Sequence, residues 1–169
     1  MIFETQRLYL REINHNDFAS LCKILQDEDV MYAYEGAFND DEVREWLNRQ
    51  IARYKQWGFG LWAVILKKSD EMIGQCGLTM QPWGDKEVLE IGYLFQRRYW
   101  HKGYATEAAQ ACKKYAFEKL NADEVCSIIR DTNISSQNVA IRNGMIKKDS
   151  LIKHYKGVDM PHFRYVANK

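Results

Sequence analysis

Residues 89 to 95 alternate as a strand. Gln96 to Gly103 is a basic loop ending in glycine, and Tyr104 to about Leu120 carries small residues at helical spacing. This strand, loop and helix constrain the chain more than any other segment. The loop feeds successive backbone N–H groups into the free donors of a helix N-terminus, which also carries the positive end of the helix dipole. A phosphate group binds at such a place through main chain alone. Gly103 lets the backbone come close, Ala105 keeps the first turn narrow, and Arg97, Arg98, His101 and Lys102 add positive charge beside it. The alternative is a plain strand-to-helix turn with solvated basic residues. The pattern is not the G-x-x-x-x-G-K-[ST] loop of nucleotide hydrolases, and a G-x-G-x-x-G dinucleotide turn is absent.

The rest of the chain fits around that segment. Arg7 to Ile13 alternates as a strand, and Asn14 or Asn16 caps a helix through Phe18, Leu21, Cys22 and Leu25. A second helix opens at Asp40 and Asp41, carries Val43, Trp46, Leu47, Ile51 and Tyr54 on one face, and stops at Gly58 and Gly60. Leu61 to Leu66, Met72 to Met80 and Val88 to Phe95 read as strands, with a hairpin turn at Trp83 to Lys86. The long helix shows a small face of Ala105, Ala108, Ala109, Cys112 and Ala116. Glu124 to Arg130 is a strand, and Ser135 to Asn143 a short helix stopped by Gly144. Met145 to Tyr155 and Asp159 to Val166 are the last strands, joined by a Lys156-Gly157 turn. Strands and helices mix without strict alternation, so an α/β (α+β) fold with a mixed sheet is expected. With no linker or repeat, residues 1–169 read as a single domain.

Composition narrows the function classes. Lys plus Arg is 24 and Asp plus Glu 23, so no overall charge draws the chain to nucleic acid or membrane. Cys22, Cys76, Cys112 and Cys126 are widely spaced and the four histidines show no ligand spacing, so no metal is expected. No signal segment and no membrane-length apolar run are seen, which points to the cytoplasm.

The stretch from Leu89 to Ala108 resembles motif A of the GNAT superfamily of N-acetyltransferases, whose loop pattern is [QR]-x-x-G-x-[GA]. Gly103 and Ala105 match, and Trp100 stands in the [QR] slot. That departure is similar to the W-x-x-G-Y-A-T-E-A variant of the ribosomal-protein N-terminal (RimJ/RimL-type) branch. Asn133 to Met145 is similar to the family's N-x-x-S-x-x-V-x-x-x-x-G-[FM] segment. Trp62 to Ile65 with Met72 to Leu78 resembles the central hairpin, and Thr5-x-Arg7-Leu8-x-Leu10-Arg11 the first strand. The blocks occur in order over almost the whole chain.

The resemblance implies a single-domain GNAT-like fold. Its sheet would be mostly antiparallel, with helices on both faces and a V-shaped split between the strands ending near Phe95 and Arg130. It implies acetyl-CoA as co-substrate. The pantetheine arm would lie in the split against the backbone of Tyr93, Leu94 and Phe95, and Asn133 would hydrogen-bond it. Arg98, His101, Lys102, Gly103, Tyr104, Ala105 and Thr106 would surround the diphosphate. Asn133 is also placed to cap a helix.

Acetylating an amine needs the free base, and a carboxylate helps to form it. Glu90 shares a strand face with Val88, Gly92 and Leu94, between apolar sets, so it is expected to be desolvated with a raised pKa. The alternative is a rim carboxylate or one paired with an arginine. The departing thiolate needs a proton. Ala140 stands where many relatives have a tyrosine, and Ser136 resembles the serine used instead in the ribosomal-protein branch. A first-turn serine bonding backbone is the alternative for Ser136, and Tyr155 and His154 are other candidate donors. Tyr32, Tyr34 and Glu35 between the first helices, and Trp83 in the hairpin, are candidates for meeting the acceptor. No cysteine sits in an activating context, so direct transfer in a ternary complex is expected rather than an acetyl-enzyme. The acceptor could be a peptide N-terminus, a polyamine, an amino acid or an amine antibiotic. The oligomeric state is open between monomer and homodimer. The competing reading is a non-catalytic acetyl-CoA-binding module.

Overall fold

The structure, a computed structural model, describes residues 1–34 and 36–169. Its frame is one eight-stranded sheet in the order β1-β2-β3-β4-β5-β6-β8-β7. The strands are β1 (Phe3–Glu4), β2 (Leu8–Arg11), β3 (Leu61–Leu66), β4 (Glu71–Trp83), β5 (Lys86–Phe95), β6 (Glu124–Arg130), β7 (Ile146–Tyr155) and β8 (Val158–Asn168). The helices are α1 (Phe18–Leu25), α2 (Glu28–Met31), α3 (Asp40–Trp57), α4 (Tyr104–Glu118) and α5 (Ile134–Arg142). Neighbouring strands pair antiparallel except β5 and β6, which run parallel. The helix α4 makes the crossover between those two, as a parallel connection requires.

Local chemistry sets the helix ends. Asn39 and Glu42 form a reciprocal capping box at the start of α3, and Gly58, at φ +79°, closes it in the left-handed conformation. Asn14 and Asp17 form a second capping box on the turn that leads into α1. The helices α1 and α3 cover one face of the sheet, burying Leu21, Ile24, Leu25, Val43 and Leu47 against Ala63, Ile65 and Met72. On the other face α4 lays Ala108, Ala109, Cys112 and Ala116, all 0% exposed, on Trp62, Cys76, Leu78 and Ile91. The small side chains let the helix axis approach the sheet closely. Ala105, grouped with that face by spacing, is only half-buried, because it lies on the first turn of α4 and lines a cleft.

The expected order of elements is present, with two additions. β1 is two residues long and α2 a single turn capped by Asp27, too short for either to leave a periodic pattern. No helix among the described residues is long and apolar enough to cross a membrane.

Close contact between β3 and β4 depends on one glycine. A Cβ at Gly77 would lie 2.0 Å from the carbonyl oxygen of Gly60 and 2.8 Å from Cα of Leu61. Both obstacles are backbone, so neither can rotate away. Gly77→Ala is expected to lower unfolding stability by at least about 2 kcal/mol. Denaturant melts read this, and an unchanged midpoint would show that the two strands have room to separate.

Candidate active site

Parallel pairing of β5 with β6 is registered at a single position, Glu90 opposite Cys126. Beyond it the strands part. Two side chains take over the hydrogen bonds that the ladder no longer supplies. Glu90 Oε2 accepts from the N–H of Ile128 at 2.9 Å, and Ser127 Oγ donates to the carbonyl of Ile91 at 2.9 Å. Because the Ile91 carbonyl faces β6, alternation turns the N–H of Tyr93 and Phe95 toward the gap. Gln96 N–H donates to Ile73 O in β4, so Leu94, two residues before it, points its backbone away from the gap. β5 pairs with β4 from Gly74↔Phe95 to Trp83↔Lys86 without a register shift, which keeps the alternation intact.

Two clefts meet at this splay. One, of about 460 Å³, is lined by Tyr93, Leu94, Phe95, His101, Gly103, Tyr104, Ala105 and Thr106 on one side and Asn133, Ser136 and Arg142 on the other. The second, of about 480 Å³, lies on the α3 side and contains Glu90, Tyr34, Trp46, Arg53, Lys153 and Tyr155. Tyr93, Leu94, Asn133 and Ser136 line both.

The first cleft has the features of an anion site. No side chain caps the start of α4, and its N-cap is Gly103 at φ +80°. His101 also takes a positive φ, +61°, so the loop curls its amides inward. The loop is braced from the turn between β1 and β2, a feature the sequence reading missed. Glu107 accepts from Thr5 Oγ1 at 2.6 Å, from Arg7 N–H at 2.9 Å and from Arg7 Nε at 2.7 Å. Arg7 Nη1 donates to Lys102 O at 2.9 Å, and its guanidinium lies 4.4 Å from the Tyr104 ring centre. Both residues stand in the blocks quoted above, but nothing in the spacing says that they meet. Trp100 Nε1 donates to the Phe95 carbonyl at 3.0 Å and so ties the loop to the end of β5. The exposed cation Arg142, on the last turn of α5, was also missed.

Several expected residues lie elsewhere. Arg98 is drawn off by Glu71, to which it donates, and lies 4.8 Å over the Tyr99 ring; it does not line the cleft. Lys102 is exposed and does not line the cleft; its carbonyl accepts from Arg7, and its ammonium lies 5.7 Å from the Tyr99 ring centre. Trp83 lines neither cleft, being 4% exposed and packed on Val88, Cys126 and Val166 under the Arg164 guanidinium. A tryptophan at a hairpin end found core to cover rather than ligand. Tyr34 is in the second cleft, whereas Tyr32 borders the first, its carbonyl accepting from Arg130 Nη1 at 2.8 Å. Glu35 is outside the described residues. His154 pairs with Asp159 on the exposed hairpin, away from both clefts.

The polar groups at the junction differ in how committed they are. Asn133 Oδ1 accepts from Ser136 N–H at 3.2 Å, the helix-cap role, which leaves its amino group toward the clefts. Tyr93 donates to the Ser136 carbonyl at 2.7 Å, and burial holds its phenol well above the ordinary value, so it stays neutral. Ser136 Oγ makes no hydrogen bond among the described residues. Glu90 is pushed up to about 7 by burial, against the Ile128 N–H and the charges of Lys153 and Arg53, which favour the anion. It forms no ion pair with an arginine among the described residues.

Comparison with known proteins agrees with this geometry. The family model described as Acetyltransferase (GNAT) domain matches residues 7–146. The uncharacterized protein YkkB of Bacillus subtilis (strain 168) is 37% identical over 155 residues, 91% of this chain and 90% of that protein. The uncharacterized N-acetyltransferase YnaD of the same organism is 31% identical, over 86% of this chain and 82% of its own. Among solved structures, a GNAT-family acetyltransferase from Bacillus anthracis superposes with a TM-score of 0.83 at 25% identity, covering 98% of this chain and 96% of that one.

Burial of Glu90 has a consequence that needs no substrate. Its pKa rises from 4.5 to about 7 on folding, so between those values the folded state holds a proton that the unfolded state has lost. Unfolding free energy therefore falls as pH rises through that window. Glu90→Gln keeps an acceptor for Ile128 N–H and lacks the ionisation. The full shift corresponds to about 3 kcal/mol. Because the half-buried carboxyl is partly screened by solvent, the variant is expected to match the parent near pH 4.5 and to exceed it by ~2 kcal/mol above pH 7. Denaturant melts at several pH values test this; parallel curves would mean that Glu90 ionises as an exposed carboxylate does.

Proposed function

Because this chain belongs to the GNAT acetyltransferase family and is an acetyl-CoA-dependent N-acetyltransferase, we propose that it moves the acetyl group directly onto a primary amine held in the α3-side cleft, with Glu90 as the base. The observation that carries this reading is the meeting of the two clefts at Tyr93 and Ser136, beside a half-buried carboxyl whose pKa is about 7.

Acetyl-CoA supplies an activated thioester carbonyl and a thiolate leaving group. The loop from His101 to Thr106 and the uncapped N-terminus of α4 hold the diphosphate by main-chain N–H groups. Arg142 adds a charge on the facing wall, and the Asn133 amino group and the gap-facing backbone of Tyr93 and Phe95 hold the pantetheine arm. The Tyr93 N–H, rigid in its strand, is the donor for charge developing on the carbonyl oxygen.

Glu90 takes the ammonium proton. A base with a pKa of about 7 is half ionised at neutral pH and still strong enough to accept, which is the compromise that general-base catalysis favours. Ser136 Oγ, uncommitted at the junction, is the candidate donor to the departing thiolate. A thiol is acidic enough that this donation adds modestly to the rate. The cysteines support direct transfer: Cys76, Cys112 and Cys126 are buried, and burial holds the Cys112 and Cys126 thiols above their ordinary values.

Glu90→Gln is expected to lower turnover by about 10²-fold or more and to leave acetyl-CoA affinity within about twofold. In the parent, kcat/KM should rise with pH and level off above about 7. Thiol release and calorimetry separate the two effects, and full activity of the variant across pH would remove Glu90 from the chemistry. Glu107→Ala, which frees Arg7 and the loop, is expected to weaken acetyl-CoA binding by about tenfold while Glu90 keeps its pH profile. Unchanged affinity in that variant would argue against a preorganised loop.

A further inference from the structure

The acceptor cleft carries a charge pattern that acetyl transfer as such does not need. One face of α3 presents Glu42, Glu45, Arg49 and Arg53 to the cleft, acidic at its start and basic at its end. The basic end is the deep one. Gln50 Oε1 accepts from Leu61 N–H at 3.3 Å, and Tyr54 donates its hydroxyl to the Leu61 carbonyl. Leu61 lies over Gly92, with its Cδ2 3.4 Å from where a Cβ would stand, and Glu90 Oε1 is 3.9 Å from the same point. The end of α3 bearing Arg53 is thus anchored above the proposed base. Glu42 is occupied at the cap, receiving Asn39 N–H at 3.2 Å, and Glu45 is about 12 Å of helix away from Arg53.

Arg53 is half-buried and donates only to Gln50 Oε1, at 3.2 Å. Lys153 faces Glu90 from β7 on the opposite wall. Arg130 is turned to the Tyr32 carbonyl. Neither Arg49, Arg53 nor Lys153 forms an ion pair among the described residues. Burial and the like charge of Arg49 hold the Arg53 guanidinium below its ordinary value, and the charge of Glu90 offsets them only in part. Leaving a cation so is costly unless a bound group compensates it.

We propose that the acceptor is a primary amine carrying a carboxylate within a few bonds of its amino nitrogen, with Arg53 and Lys153 receiving the carboxylate while Glu90 receives the amine. This rests on the acetyl-transfer reading of the same site. A polyamine or an aminoglycoside would instead bring further ammonium groups against Arg53 and Lys153, where like charges repel. The amine-and-carboxylate chemistry is shared by a free amino acid and by a peptide that begins with Asp or Glu.

The test is thiol release from acetyl-CoA with matched acceptors: an amino acid beside its carboxamide, an Asp-headed peptide beside its Asn-headed twin, and spermidine. In at least one pair the carboxylate member is expected to exceed its neutral twin in kcat/KM by about tenfold or more, and the responding pair identifies the source. Arg53→Gln and Lys153→Gln are each expected to shrink that ratio by about tenfold, acting through KM. Lys153, on an edge strand, provides this readout should Arg53→Gln fail to fold. Equal rates within both pairs, or variants that slow the twins alike, overturn the acceptor class. Release confined to neutral amines or spermidine overturns it and leaves acetyl transfer standing. No release with any amine overturns both.

Discussion

The single ladder position between Glu90 and Cys126 is the constraint on which the site depends. A parallel pair that continued to Phe95 would close the gap and bury the amides of Tyr93 and Phe95 in the sheet. The pair stops, and the unmade backbone hydrogen bonds would each cost stability if left without partners. The chain meets that cost with side chains, Glu90 accepting from Ile128 and Ser127 donating to Ile91. Opening the sheet and placing a half-buried carboxylate at the apex are therefore one structural event. The raised pKa follows from the same burial, because a single N–H and two cations do not fully replace water around the anion.

How much of this was legible in the sequence follows from the range of the interactions. The strand alternation around Glu90 and the glycine before α4 are local signals, and both are present as read. The small face of α4 is also local, since four of its five residues reach the core. Arg7 and Glu107 are a hundred positions apart, and only the fold, which sets the β1–β2 turn beside the start of α4, brings them together. Arg53 was invisible for the same reason. It reads as an ordinary solvent-facing position of an amphipathic helix until the contact of Gln50 and Tyr54 with Leu61 turns that end of α3 over the sheet split. Trp83 and Arg98 erred the other way. Each has a side chain that suits a ligand, but a nearer partner, the Val88–Cys126–Val166 cluster or Glu71, takes it first.

The phosphate side illustrates why a departure in a motif can leave its chemistry intact. In the family pattern the first loop position is Gln or Arg, and here it is Trp100. What the structure uses at that position is a donor: the indole N–H holds the Phe95 carbonyl and fixes where the loop leaves β5. The positive φ values of His101 and Gly103 then aim the amides, and Arg7 with Glu107 keeps that curl from outside. Charge near the loop is secondary, since Arg98 and Arg97 are both spent on neighbouring carboxylates.

The cations around the proposed acceptor cleft and the base at its apex have separate tasks. A free amine reacts and its conjugate acid does not. An ammonium that reached Glu90 without a carboxylate to meet Arg53 and Lys153 would be destabilised by both charges. The same two charges favour the carboxylate form of Glu90 and so oppose part of the effect of burial. Burial, by raising the Glu90 pKa toward that of the amine, is what brings donor and acceptor of the proton closer in affinity, the condition under which transfer has little uphill cost. Under the proposed acceptor class, the field of the two cations disfavours an amine that offers nothing else and favours one that brings its own negative charge. In that proposal recognition falls to Arg53 and Lys153, which receive the carboxylate, and activation of the amine falls to Glu90 between them.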